Sequence, residues 1–239
     1  MALGESIGIR RVDGSGPIIA LRSPSTADLN GLTVDPNSLT YMCIRDKKRM
    51  EHPTTFLEEI GPLRDGILWG VYCEDDGPEK RKMIGIASAG PITEPGQEIG
   101  LLLVEPGSRG RGVGRMVIAA LVDDCFTRPL ELSHPQRKPW SRPADMVYAK
   151  PHRDNEPMRR VLTALGFHGS ATGFAESKDG KSGYWELYRH PIYAANEVRT
   201  YNPGIASEVE AAAAKRLATY TALRSMFTIE PIPMVWART

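Results

Sequence analysis

The hydrophobic pattern along the chain changes period several times. Residues 17–21, P-I-I-A-L, read as a strand, and residues 23–28 supply turn and helix-cap side chains. From about 37 to 63 the pattern is polar and mostly helical, with Pro53 suited to the first turn of a second helix. Residues 67–73 and 83–89 read as two strands joined by an acidic, glycine-containing turn, hence an antiparallel hairpin. Residues 98–104, E-I-G-L-L-L-V, are nearly all apolar after the first, as expected of a strand buried on both faces. A glycine-rich turn follows. Then comes a helix with apolar positions at Val113, Met116, Val117, Ala120, Leu121 and Val122.

Beyond that helix, residues 129–143 hold four prolines and no periodicity, which predicts a long loop. A short strand at 146–149 and a helix at 157–165 come next, the latter closed by Gly166 as a left-handed cap. Residues 167–174 and 183–188 predict a closing hairpin. After His190 the chain is irregular until Ser207, which with Glu210 has the spacing of a capping box. The helix opened there runs through four alanines to about 227 and is stopped by Pro231 and Pro233. Strands that pair as hairpins at both ends and alternate with helices in the middle define an α/β fold with a mixed sheet.

Composition narrows the class. The 239 residues carry 30 Lys plus Arg against 29 Asp plus Glu, a net charge of +1, which argues against a nucleic-acid binder. Three scattered cysteines, Cys43, Cys73 and Cys125, form neither a disulfide framework nor a CxxC site, and a reducing compartment suits them. Residues 1–16 mix charges with glycines and hold no signal-peptide core. No apolar run approaches the roughly 18 residues of a membrane span. A cytoplasmic protein with no membrane partner is expected. The alanine-rich helix, interrupted by Lys215, Arg216 and Arg224, reads as a packed or dimer-forming element of a homodimer.

The strongest chemical signal is R-G-R-G-V-G-R, residues 109–115. Glycines at 110, 112 and 114 let successive amides turn inward, and the helix that follows adds its dipole, so the segment can hold a diphosphate. The competing reading is a plain glycine turn with a solvated basic face; strand before and helix after favour the phosphate site. A Walker A loop is excluded, because Arg115 and Met116 stand where Lys and Ser or Thr are needed. A Rossmann fingerprint needs glycine where Arg115 stands.

The segment V-E-P-G-S-R-G-R-G-V-G-R resembles the central motif of the GCN5-related N-acetyltransferases (GNAT), whose Arg/Gln-x-x-Gly-x-Gly/Ala core is matched by Arg109, Gly112 and Gly114. Residues 155–167, N-E-P-M-R-R-V-L-T-A-L-G-F, resemble the family's second motif. The opening I-I-A-L-R followed by S-T-A-D-L resembles the branch that acetylates ribosomal-protein amino termini. The resemblance implies a mixed, mostly antiparallel central sheet flanked by helices. The acetyltransferase domain would cover 17–190, with an N-terminal segment at 1–16 and a C-terminal helical extension at 191–239. It also implies acetyl-CoA as cosubstrate, no metal, and transfer to a primary amine of a small molecule or a peptide amino terminus. Leu102, Leu103 and Val104 would offer backbone groups to the pantetheine arm. Arg109, Gly110, Arg111, Gly112, Val113, Gly114 and Arg115 would hold the pyrophosphate, and Asn155 would contact the pantetheine side. As a bare sequence feature, Asn155 is equally an N-cap for its helix, and the two roles are compatible. A non-catalytic acyl-CoA-binding module on the same fold is the alternative.

The transfer requires a neutral amine and a proton for the leaving thiolate. Glu98, eleven residues before Arg109, is the candidate base, acting through water; otherwise it is an ordinary strand-end carboxylate or half of a structural pair. Relatives often carry a tyrosine acid seven residues after the asparagine, but here that position is Leu162. Tyr148, Tyr184 or water are the substitutes. His134 and His152 lack a partner of metal-ligand spacing, so no metal is expected.

Overall fold

The structure is a computed structural model that describes residues 6–33, 67–74, 81–93, 96–127, 146–152, 154–176, 182–189 and 206–232. Expectations for 37–63 and for the loop at 129–143, His134 included, lie outside the described residues.

Among the described residues nine strands form one sheet: β1 Ser6–Arg11, β2 Ile19–Arg22, β3 Ile67–Cys73, β4 Lys82–Thr93, β5 Gly96–Val104, β6 Val147–Ala149, β7 His168–Glu176, β8 Ser182–Arg189 and β9 Phe227–Ile232. Their spatial order is β7-β8-β6-β5-β4-β3-β2-β1-β9. Every neighbouring pair is antiparallel except β5 with β6, which is parallel. Among the described residues the α-helices are α1 Thr26–Asn30, α2 Val113–Thr127, α3 Glu156–Ala164 and α4 Ala206–Arg224. This is the expected mixed, mostly antiparallel sheet with flanking helices, and both expected hairpins are present.

Two elements differ from the sequence reading. Ile7 and Ile9 are buried while Gly8 and Arg10 are not, so the N-terminal segment supplies a strand, β1, by simple two-residue alternation. At the other end α4 stops at Arg224, and the chain turns at Ser225 and Met226 into β9, antiparallel to β1 from Ser6↔Ile232 to Arg11↔Phe227. Pro231 therefore lies within an outermost strand, where a missing N–H is tolerated, rather than terminating the helix.

The main core lies on the face where Ile9, Ile19, Leu21, Trp69, Val71, Ala87 and Ile99 meet α2. α2 is buried nearly all round because α3 and α4 cover what the sheet does not. α4 is fastened by Tyr220 and Arg224: the Tyr220 hydroxyl donates to Asp123 Oδ1 at 2.9 Å and Arg224 Nε to Asp123 Oδ2 at 2.6 Å. Gly166 closes α3 with φ 78°, the left-handed conformation expected of it. A Cβ there would lie 2.5 Å from the Arg216 carbonyl oxygen, so α4 crosses directly over this glycine. On the opposite face α1 is capped by Ser25 and Asp28 in a reciprocal capping box, and the Tyr72 hydroxyl donates to Asp28 Oδ2 at 2.8 Å.

Candidate active site

The sheet opens at β5. Its inner side pairs with β4 over its whole length, from Gly85↔Val104 to Thr93↔Gly96. Its outer side pairs with β6 only at Gln97↔Val147 and Glu98↔Tyr148. From Ile99 onward, the β6-facing side of β5 has no strand partner among the described residues. A strand edge inside a sheet thus presents backbone N–H and C=O groups, which must be satisfied by something else. A bulge sharpens the opening: Ser88 pairs with Leu101 but Ala89 with Ile99, so Gly100 is an extra residue. A Cβ at Gly100 would sit 3.2 Å from Ser88 Oγ, which leaves glycine as the residue that fits without displacing that hydroxyl.

Leu102, Leu103 and Val104 form the free half of β5. Leu102 and Val104 pack against the main core, whereas Leu103 pairs with Ile86 and is buried on the other face. The strand then ends in a short turn of 3-10 helix, Pro106–Ser108. Arg109 folds back so that its Nε donates to the Val104 carbonyl at 2.9 Å. Gly110 and Gly112 follow at φ 78° and 84°, both exposed, and nothing lies within 4 Å of where a Cβ would stand. Arg111 and Arg115 are exposed and Val113 is buried. The amides of Arg115 and Met116 both donate to the Gly112 carbonyl, at 3.0 and 3.2 Å, closing the turn into α2. The first amides of any helix have no intrahelical partner. Those at the head of α2 point the positive end of its dipole out of an exposed glycine turn, which suits a diphosphate.

Gly114 serves a different purpose. A Cβ there would lie 3.5 Å from Leu102 Cδ2 and 3.6 Å from Val161 Cγ2, so β5, α2 and α3 converge on this residue. α3 is the helix that Asn155 opens. Asn155 is its N-cap, with Oδ1 accepting from the Met158 amide at 3.2 Å and Pro157 in the first turn. Its Nδ2 makes no hydrogen bond among the described residues, which leaves the side chain able to cap and to donate elsewhere.

Glu98 stands at the closed end of the opening, six residues before Val104, or about 20 Å along an extended strand. Its neighbour Gln97 is buried, with Nε2 donating to the Gly90 carbonyl at 3.0 Å, which fixes β5 against β4 at this point. Lys150 Nζ donates to Glu98 Oε2 at 3.1 Å, the two side chains being 38% and 31% exposed. The same ammonium lies 5.1 Å from the centroid of the Tyr148 ring, within cation–π range. Sequence reasoning missed Lys150, because its partner is 52 positions away and no local pattern announces it. It also missed the bulge, although an isolated glycine in an apolar strand is its usual signal.

The remaining candidates fall elsewhere. Leu162 is fully buried in the main core. His152 Nδ1 accepts from the Asp154 amide at 3.2 Å and lies 3.8 Å from the Asp154 carboxylate. The Tyr184 side chain lies outside what the structure describes. Among the described residues, no group of three His, Cys, Asp or Glu side chains could hold a metal ion, and no helix is long and apolar enough to cross a membrane.

A sheet that parts beside a glycine turn at a helix N-terminus defines the acetyltransferase class of fold, and comparison with known proteins agrees. The family model of the acetyltransferase (GNAT) domain matches residues 19–168. The chain belongs to that family.

Solved structures share the fold at low identity. A GCN5-related N-acetyltransferase from Brucella melitensis superposes with TM-score 0.54 at 14% identity, covering 75% of this chain and 81% of that one. A spermidine N-acetyltransferase from Vibrio cholerae, in complex with CoA and spermine, gives 0.50 at 16% identity, covering 72% and 92%. A ribosomal-protein-S5-alanine acetyltransferase from Vibrio fischeri gives 0.50 at 16% identity, covering 72% and 91%. No curated protein sequence matches the chain.

Proposed function

We propose that the protein is an acetyl-CoA-dependent N-acetyltransferase that moves the acetyl group to a primary amine, of a small molecule or a peptide terminus, by direct attack of the amine on the thioester. The observation that carries this reading is the opening itself. The glycine turn heads α2 at one end, the unpaired edge of β5 runs inward, and Glu98 stands where β5 and β6 come together. The open space around Gly110 and Gly112 fits a diphosphate cradled by amides of residues 110–114, with Arg109 bracing the strand end and Arg111 and Arg115 adding positive charge. The unpaired edge over Leu102, Leu103 and Val104 offers backbone partners to the amide groups of a pantetheine arm. Asn155 adds a side-chain donor. Acetyl-CoA, when bound, supplies the activated acetyl carbon.

In this reading Glu98 takes the proton from the incoming ammonium through water. No tyrosine stands at position 162 to return a proton to the thiolate, so solvent or Tyr148 fills that role. The S-T-A-D-L opening and the cytoplasmic setting belong to the same proposal, with a peptide amino terminus as one acceptor.

Glu98→Gln preserves shape and removes basicity. The expected result is a rate loss on the order of a hundredfold to ten-thousandfold at neutral pH. Partial recovery is expected at high pH, where free amine is abundant. Unchanged turnover would assign Glu98 a structural role. The Glu98–Lys150 ion pair is the observation that favours the second reading, a non-catalytic acyl-CoA-binding module. CoA binding without turnover across a panel of amines would establish it.

A further inference from the structure

The primary amine nearest the candidate base belongs to the protein. Lys150 Nζ lies 3.1 Å from Glu98 Oε2 and 5.1 Å from the Tyr148 ring centroid, so a carboxylate and an aromatic face together hold an ammonium. That is the recognition an external alkylammonium acceptor would need. The location matters as much as the contacts. Pairing between β5 and β6 ends at Glu98↔Tyr148, and Lys150 follows two residues after Tyr148, at the head of the gap between the strands. An arm entering from the glycine turn along the free edge of β5 runs out of gap at this point. On its β4 side Glu98 faces Gly90, where a Cβ would lie 3.7 Å from the Glu98 Cβ.

We propose that Lys150 is an acceptor in its own right: with acetyl-CoA bound and no external amine, the protein acetylates Lys150 Nζ. This rests on the acetyltransferase reading above. The ammonium first gives one proton to Glu98, which passes it to water. The free amine then forms the N–C bond to the acetyl carbon as the C–S bond breaks. The second proton leaves the nitrogen and ends on the CoA sulfur, giving the neutral amide and CoA thiol. The product has lost its charge and with it the ion pair to Glu98, so the carboxylate is left for an external ammonium.

The test uses the purified full-length chain and has two arms. In the first, the protein is incubated with acetyl-CoA alone and followed by intact mass and peptide mapping. One acetyl group should appear at Lys150 before any other lysine, on the order of a hundredfold faster than in Glu98→Gln. It should be lost in Gly112→Asp. In the second arm, trace acetic anhydride labels surface amines with and without non-acetylated CoA. CoA should protect Lys150 several-fold and leave the exposed Lys82 unchanged. A protein that binds CoA, as judged by its thermal shift, yet shows neither Lys150 acetylation nor Lys150 protection overturns the inference. If external amines are turned over while Lys150 stays unmodified, the inference falls and the acetyltransferase reading stands. If CoA does not bind, both fall.

Discussion

Single residues set the tolerances of this fold, and Gly166 shows how tightly. Its φ of 78° costs a side-chain-bearing residue about 1–2 kcal/mol. A Cβ there would also meet the Arg216 carbonyl oxygen at 2.5 Å, a backbone atom that cannot swing aside. Gly166→Ala should therefore lower unfolding free energy by roughly 2–4 kcal/mol, strain and overpacking together. A denaturant titration showing less than about 1 kcal/mol of loss would mean that α4 is displaced at little cost. Gly110 and Gly112 share the positive φ but face open space, so a side chain there meets no neighbour. The sequence distinguishes these roles only through context: Leu-Gly-Phe closing a helix in one case, a glycine triplet between strand and helix in the other. Glu98 was legible as a carboxylate near the start of the buried strand. Its pairing with Lys150 was not, because that contact depends on the parallel register of β5 and β6.

Elements were legible wherever their period was clear. The hairpin β3–β4, the buried strand β5, helices α2 and α3 and the closing hairpin β7–β8 all follow from apolar spacing and glycine punctuation. β1 was obscured because its six residues carry only two buried isoleucines among glycine and arginines. β9 was obscured because two prolines read as a stop, whereas an outermost strand can accommodate Pro231. Both belong to the same edge, and each is the other's partner. α4 reaches this edge through the Asp123 anchor. The Tyr220 hydroxyl is pushed well above its ordinary range by burial, then by the charge and hydrogen bond of Asp123, so it stays a donor. Tyr220→Phe removes that donor to a charged acceptor and should cost about 1.5–3 kcal/mol. In a chain of this size the corresponding fall in Tm is roughly 3–12 °C. An unchanged Tm would show that Arg224 alone holds Asp123.

At the scale of the whole molecule, pH should act on stability from both sides. Burial raises the Asp28 carboxyl, but the Ser25 side-chain and backbone donors and the Tyr72 hydroxyl outweigh it, and the group sits below its ordinary 3.8. A depressed carboxylate stabilises the native state above its unfolded value and loses that contribution as pH falls through the folded value. Tyr72 and Tyr220 are raised by burial first and by Asp28 and Asp123 respectively. Raised tyrosines stabilise fully below their unfolded value of 10.0, and the contribution declines as pH climbs beyond it. Unfolding curves should thus show stability falling below about pH 4 and again above about pH 10. In Tyr72→Phe the alkaline fall should be shallower.

The central claim is that the turn between β5 and α2 holds the diphosphate of CoA, and Gly112→Asp tests it most directly. Aspartate tolerates a positive φ better than most side chains, and no atom lies within 4 Å of its Cβ position, so the variant should fold. Its negative charge would stand against the proposed diphosphate. With CoA at about a hundred times its dissociation constant, the native protein should gain roughly 2.7 kcal/mol of stability, read as a rise in Tm, and Gly112→Asp should gain none. An equal rise in both proteins, or none in either, would contradict the assignment.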